Sequence, residues 1–577
     1  MNDYIKKADD KLNSLYDFIF GSKTASQIQE EISPQLVSSD GGSLFTVFIS
    51  VCNTKERALV FRHTAVSLET AWQGCCAAVN KYVNTHSYDC VWIKADYVCS
   101  SEIRSLNDVI AEISGSFGQY FRNGISFDDK YQTALIEAEI NGNDIITYKK
   151  KTIELSKVNK YISAHCGKTL LSLPSELIVF DCRSFFCDEN SRIYELYGAG
   201  LNCGRRKIDY VDKQTAYDVI FSSSEYLSFQ IGLDGKFDYG FYPINYRLIP
   251  NYNNLRHSSS IWSLICAYRL TNDKFTLNQA ENAIGYMIQN MAYKYAKPQN
   301  EENTAFLIEK SAKEIKLGGN GVAVILLTEY MKHMKTDKYK KIAVELENGI
   351  LEMFNEKNGE FYHVLNFPDG TPKEKYRTVY YDGEAAFALC RLYSLTKDSK
   401  WLDAAKKAVD HFIKANYVQY RDHWVAYAMN EITMYVPEER YFEFALRNAQ
   451  ENLKRIYNQK TTYHTYLELL TVTFELYKRI IENGYEVKYL EKFDVSFFVK
   501  TIFHRAHFML NGYCYPEYVM YLKYPDKIKG AFFVRHDSYR IRIDDIQHFC
   551  GAYFSFYNHY EELMELVQKL NIDINEK

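Results

Sequence analysis

The chain has 577 residues, 47% of them hydrophobic and 25% charged, with a formal net charge of −4. That length exceeds one ordinary domain, and the balance is that of a soluble globular protein. That net charge gives no reason to expect nucleic-acid binding, which wants a basic face. No stretch reaches the ~20 uninterrupted apolar residues of a membrane span.

The 13 cysteines form no CxxC pair and no Cys/His cluster with zinc spacing. The first residues, MNDYIKKADDKLNSLYDFIF, mix acids among lysines and lack an apolar core, so they are no signal peptide. Reduced cysteines and a cytoplasmic location are therefore expected, with no metal and no cofactor. Oligomeric state is left open.

Residues 1–42 read as a short helix and a linker ending in SSDGGS. From 43 to 208 strands and helices mix. LFTVFISVC (44–52) is short, apolar and β-rich, hence a buried strand, and RALVFRHTAVS reads as its partner. SLETAWQGCCAAVNKYVNT opens with Ser-x-x-Thr and spaces apolar residues three and four apart, as a helix does. CVWIKADYVC and SELIVFDCRSFFC add strands, and SLNDVIAEISGSF a helix. The expectation is an α+β or α/β domain of unassigned role. No Walker loop or GxGxxG follows any strand; GAGLNCGRR (198–206) has neither the spacing nor the context.

From 209 to 562 the pattern changes. Helices with one charged face alternate with helices that are small or apolar almost all round. The first type must lie on a surface, and the second must have neighbours on both sides. The outer members are expected over 212–230, 272–295, 336–355, 397–417, 437–458 and 494–511. Their inner partners are expected over 256–270, 316–331, 381–396, 422–435, 463–480 and 544–560. Residues 563–577 read as a tail. Six antiparallel pairs close most naturally into a ring, an (α/α)6 barrel behind an α+β N-terminal domain; an open solenoid is the alternative.

Residues 210–560 resemble the (α/α)6 toroids of carbohydrate-active enzymes, among them N-acylglucosamine 2-epimerases, unsaturated glucuronyl hydrolases and the helical part of glucuronyl C5-epimerases. The resemblance is carried by the six-pair pattern and by the unit GEAAFALCRLYSLTKDSKWLDAA. The hairpin-like loops LDGKFDYGFYP (233–243) and KNGEFYHVLNFPDG (357–370) add to it. It is one of architecture, without a catalytic signature. It implies a cavity where the inner helices begin and a carbohydrate as substrate or ligand.

Polar residues at those helix starts are the candidates. Asp382, Asp422 and Asp544 stand where an N-cap is wanted, which explains them without catalysis. Glu384 is different: it lies one turn inside an otherwise apolar helix, where an unpaired carboxylate is costly. Asp544 and Asp545 stand four and three residues before His548, so either could orient its imidazole as a general acid or base. Asp422-His423 is weaker, because adjacent residues point apart. His257 and His464 singly are more often structural. Asn320, Asn430, Glu431, Tyr463 and Glu468 complete the polar set.

The catalytic candidates are thus Glu384, Asp382, Asp545, His548 and Asp422. Arg256, His257, Lys316, Tyr381, His423, Trp424 and Arg542 would hold an acidic or amino-sugar glycan by charge and stacking, with Trp262 a further aromatic. Paired carboxylates across a cavity favour glycoside hydrolysis. Epimerisation would need His548 plus a second base. A non-catalytic glycan-binding or scaffold protein is the reading from another class.

Overall fold

The computed structural model describes residues 3–37, 43–115, 120–147, 150–295, 303–535 and 537–575. The linker turn read at SSDGGS lies almost wholly outside them.

Strand Phe45–Cys52 runs antiparallel to both Leu59–Ala65 and Trp92–Ser105, and Trp92–Ser105 to Glu176–Cys187. Gly124–Ser126 and Ile193–Glu195 pair with Glu176–Cys187, again antiparallel. Among the described residues every pairing in this sheet is antiparallel. Strand periodicity divides the two faces. Val47, Ile49 and Val51 pack under helices Asp3–Phe20 and Leu68–His86, whereas Phe48, Phe180 and Phe186 belong to the core of the helical ring. Ser67 caps the second of these helices by accepting from Thr70 N–H, as the Ser-x-x-Thr start predicts.

The ring closes. Inner helices Asn254–Thr271, Leu317–Met334, Tyr380–Thr396, His423–Ile432, Thr465–Asn483 and Ile543–Asn558 each pack on the next, and the sixth packs back on the first. Outer helices Lys213–Phe229, Lys274–Tyr286, Lys340–Glu352, Ser399–Lys414, Glu439–Gln450 and Val495–Met509 lie outside them. The turn from inner to outer helix is short because Asn272 and Lys397 adopt left-handed φ of 53° and 58°. The next residue, Asp273 or Asp398, then caps the following helix.

Several expected helices end early or break. The segment expected over 272–295 leaves helix at Tyr286, makes a π turn over Met287–Met291, and becomes strand Ala292–Tyr295 against Thr304–Glu309. The 437–458 segment breaks, resuming as Leu453–Tyr457. The fourth inner helix stops at Ile432. Beyond the ring, Tyr560–Leu570 is a further helix against Val495–Met509.

The loops read as hairpins do pair. Gly240–Tyr242 joins Arg247–Leu248 and Ile541–Arg542, and Val364–Asn366 joins Pro372–Glu374 and Glu314–Lys316. They tie strands to the starts of the second and sixth inner helices.

The N-terminal sheet and the strand-loop after it grip the segment 513–535 that follows the last outer helix. Tyr521 Oη bonds Ser50 Oγ at 2.7 Å, and Ala58 N donates to Met520 O at 2.6 Å. The Arg206 guanidinium forks onto buried Glu517 at 2.8 and 2.7 Å. That segment ends at the cavity described next.

Candidate functional site

A cavity of about 420 Å³ opens where the inner helices begin, within the ~300–1,000 Å³ range of small-molecule sites. Arg256, Tyr380, Tyr381, Glu384, His423, Trp424, Tyr463, His464, Arg540, Arg542, Asp544, Asp545 and His548 line it.

Three inner helices build its chemical centre. The fourth supplies His423, the fifth Glu468 and the sixth His548. Glu468, fully buried, accepts from His548 Nδ1 at 2.8 Å. His423 Nε2 lies 3.8 Å from the same carboxylate oxygen, and the two imidazoles meet edge to face with centroids 5.1 Å apart. Neither ring nitrogen of His423 has a hydrogen bond among the described residues; Asp422 Oδ1 comes to 3.5 Å of Nδ1 without bonding geometry. His464 stacks on His548 at 4.7 Å and 6°.

Their surroundings push the two imidazoles apart in basicity. Burial, then the neighbouring His548 and His464, holds His423 well below the ordinary histidine value, so it is neutral. Burial opposes protonation of His548 too, but Glu468, with help from Asp544 and Asp545, outweighs it and raises that pKa. The pair therefore offers one neutral base and one stabilised acid in the same cavity, the separation that proton transfer needs.

Around this centre lies a charged rim. Arg256 Nε bonds Asp544 at 2.7 Å, and Arg542 bonds Asp544 and Asp545 at 3.1 Å each. Asp545 is held ionised: burial would raise its pKa, but His464, Arg542 and Arg540 together depress it strongly. Tyr380 and Tyr463 share a hydroxyl–hydroxyl bond at 2.8 Å across the mouth.

Glu384 sits on the cavity wall from the third inner helix, 2% exposed, with Oε2 unbonded. Burial and then Asp422 and Asp382 raise its pKa far above the carboxylate range, so it is a neutral acid. The glycines of KLGGNG make room for it. A Cβ on Gly318 would fall 1.9 Å from Glu384 Oε2, and one on Gly321 2.9 Å from the Glu384 backbone. Each glycine costs a helix about 1 kcal/mol relative to alanine, and here that cost admits a carboxyl between two inner helices.

The structure thus gathers Glu384, Asp545, His548, Arg256, Tyr381, His423, Trp424 and Arg542 at one cavity. It does not bring the other candidates there. His257 is a core histidine, bonded to Tyr252 Oη at 2.8 Å and Ala283 O at 3.0 Å, with a pKa pushed down by burial to about 4. Lys316 lies beside Glu314 at 3.6 Å, outside the cavity lining. Asp422 is the helix cap foreseen, accepting from Trp424 N at 2.9 Å. Asp382 is no cap: the helix starts earlier, at Tyr380, and Asp382 is held by His363 Nε2 and Tyr417 Oη, each at 3.1 Å. Nor does Asp544 cap its helix, since it is drawn to Arg256 and Arg542. Neither aspartate orients His548; Glu468, on a different helix, does.

From the sequence alone Glu468 and His464 are polar residues with no assigned chemistry, and Arg540 does not stand out. For Glu468 the signal was the one used for Glu384, a lone carboxylate inside an apolar helix. Arg540 comes from an irregular loop and carries no such signal. His423, Glu468 and His548 also place one donor atom each within 4.8 Å of one another, a spacing that three ligands of one divalent cation could adopt.

No protein-family model matches the chain, and no curated protein does. Among solved structures the chain is similar to a D-mannose isomerase, at 13% identity and TM-score 0.46 over 60% of this chain and 98% of that one. It is also similar to a cellobiose 2-epimerase from Bacillus thermoamylovorans, at 13% identity and TM-score 0.45 over 60% and 100%. A GH76A α-1,6-mannanase from Salegentibacter sp. matches less extensively, at 13% identity and TM-score 0.27 over 42% and 88%.

Proposed function

We propose that the chain is a carbohydrate-active enzyme that moves a proton beside the carbonyl of a sugar, as an aldose–ketose isomerase or 2-epimerase. One observation carries this reading: His423 and His548 share a cavity, face the same Glu468 oxygen, and are shifted in opposite directions. A glycosidase has no need of two such imidazoles.

In this reading neutral His423 takes the proton from the carbon next to the carbonyl. The C–H electron pair becomes the C=C bond of an enediol as the carbonyl oxygen takes the proton of His548. Return of a proton to the adjacent carbon, as the hydroxyl on the first carbon gives its proton to the now neutral His548 and becomes the new carbonyl, gives the isomeric ketose or aldose. Return to the opposite face of the same carbon, as the former carbonyl oxygen gives its proton back to His548, gives the epimer. Arg256 and Arg542 would stabilise negative charge on oxygen, and Trp424, Tyr380 and Tyr463 offer faces for the C–H surface of the sugar.

Hydrolysis is the second reading, favoured by one fact: neutral Glu384 and ionised Asp545 line the same cavity, as a glycosidase acid and base would. Against it, Asp545 already serves Arg540, Arg542 and His464. Proton NMR in D2O with hexoses, hexosamines, uronic acids and their disaccharides separates the two. Deuterium at the carbon beside the carbonyl supports isomerisation or epimerisation, and a new reducing end without deuterium supports hydrolysis. Neither change, with sugar bound, would leave a binding protein and overturn both.

A further inference from the structure

The ring holds a second cavity, of about 360 Å³, within the same six helices, lined from mid-helix residues such as Trp262, Phe387 and Gln547 to C-terminal ones such as Arg269 and Asn558. Its walls include Trp262, Phe387, Tyr427, Gln547 and Phe554. None of these belongs to the proton-transfer centre.

Two features define what it would take. Most of its charges are paired: Glu329, 2% exposed, is bonded by Arg269 at 2.6 Å and Arg391 at 2.8 Å, Glu431 lies 3.7 Å from Arg391, and Glu475 lies 3.8 Å from His559, with Lys332 also in the lining. The groups left without hydrogen bonds include neutral ones. Among the described residues neither the nitrogen nor the oxygen of the fully buried Gln547 amide has a hydrogen-bond partner, nor does the indole N–H of Trp262. Leaving a buried polar atom without a hydrogen bond is costly, so these atoms favour an occupant that bonds them. An amide that both donates and accepts, beside several aromatic faces, matches a molecule whose hydroxyls do both and whose C–H faces are apolar.

We propose that this cavity is a second, separate binding site for a neutral sugar or polyol. It stands next to the first centre through two routes. Trp262 packs against Trp424 at 5.7 Å, and Tyr427 Oη donates to Glu468 at 3.4 Å, the carboxylate that holds His548. Gln547 precedes His548 in the chain. An occupant that drew the Tyr427 hydroxyl away from Glu468 would alter the carboxylate on which His548 depends, making this site an effector site.

The test is binding stoichiometry by isothermal titration calorimetry with D-mannose and with sorbitol, on the full chain and on Gln547→Met. The variant keeps side-chain volume and removes both unbonded polar atoms, so it should melt no lower than the parent. Loss of one binding equivalent in Gln547→Met, with the remaining affinity within twofold of its parent value, supports the site. If the variant folds poorly, Phe554→Ala, at the partly exposed rim, replaces it with the same expectation. An unchanged number of equivalents in the variant overturns the proposal, as would filling of this cavity by glutamate or phosphate in preference to both neutral probes. This readout needs no turnover, so it fails or stands independently of the deuterium experiment.

Discussion

Glu468 and His548 meet across neighbouring inner helices, Oε2 to Nδ1 at 2.8 Å, with the carboxylate fully buried behind the ring. One lies on Thr465–Asn483 and the other on Ile543–Asn558, 80 residues apart in the chain. A buried carboxylate of this kind fixes which imidazole nitrogen carries the proton and stabilises the charged ring. His423, a little farther from the same oxygen, has the opposite environment.

Substituting His423 or His548 by Asn should each lower the rate of deuterium incorporation by ~10²–10⁴-fold, while circular dichroism and sugar binding stay near parental values. Loss of less than tenfold at both positions would remove the pair from the chemistry.

Glu468→Gln keeps a hydrogen-bond acceptor but removes the charge that raises His548. The activity limb on the alkaline side, where His548 loses its proton, should move to lower pH. The same shift has a stability consequence with a definite sign. Because the folded pKa lies above the ordinary 6.5, protonation of His548 stabilises the fold fully below that value, and the contribution fades as pH rises through the folded pKa. Melting temperature followed from pH 5 to 9 should therefore fall more steeply for the parent than for Glu468→Gln. Parallel curves would contradict the pairing.

For Glu384 the sign is reversed relative to a paired carboxylate. Its folded pKa is raised by burial, so the folded chain keeps a proton that the unfolded chain releases. Stability is full below the ordinary 4.5 and declines as pH rises toward the folded pKa. Glu384→Gln, neutral at every pH, should melt above the parent by a margin that grows from pH 5 to 8. If Glu384 is the acid of a glycosidase, the same variant loses turnover with the fold intact.

Gly318→Ala should destabilise, because its Cβ would meet Glu384 Oε2 at 1.9 Å and the Tyr381 ring at 2.5 Å. Overpacking of this sort costs about 1–3 kcal/mol. Pairing it with Glu384→Ala should recover much of the loss, measured by urea denaturation; additive losses would mean that the carboxyl is not the obstacle.

Arg206→Met leaves Glu517 buried and unpaired, which for such pairs costs about 3–5 kcal/mol. Since segment 513–535 leads to Val534 at the cavity, sugar affinity should weaken along with stability. A stability loss with affinity unchanged would separate the N-terminal region from the site.

The alternation of one-faced and all-round apolar helices is a local property, readable because 3.6-residue periodicity records which faces meet water. That determined six pairs, and it placed Glu384 as an anomaly, since an apolar helix tolerates no idle carboxylate. The caps of Asp422 and Ser67 were equally legible, because capping involves residues two or three apart. Closure of the ring was decided only in three dimensions, where Ile543–Asn558 packs on Asn254–Thr271. The same holds for the partner of His548. Chain proximity pointed to Asp544 and Asp545, but those side chains are drawn off by Arg256, Arg540 and Arg542, and Glu468 arrives from another helix. Electrostatic pairing depends on distances of a few ångströms between segments, which periodicity does not encode. Helix faces were therefore written in the sequence, while the division of labour between the imidazoles belongs to the tertiary structure.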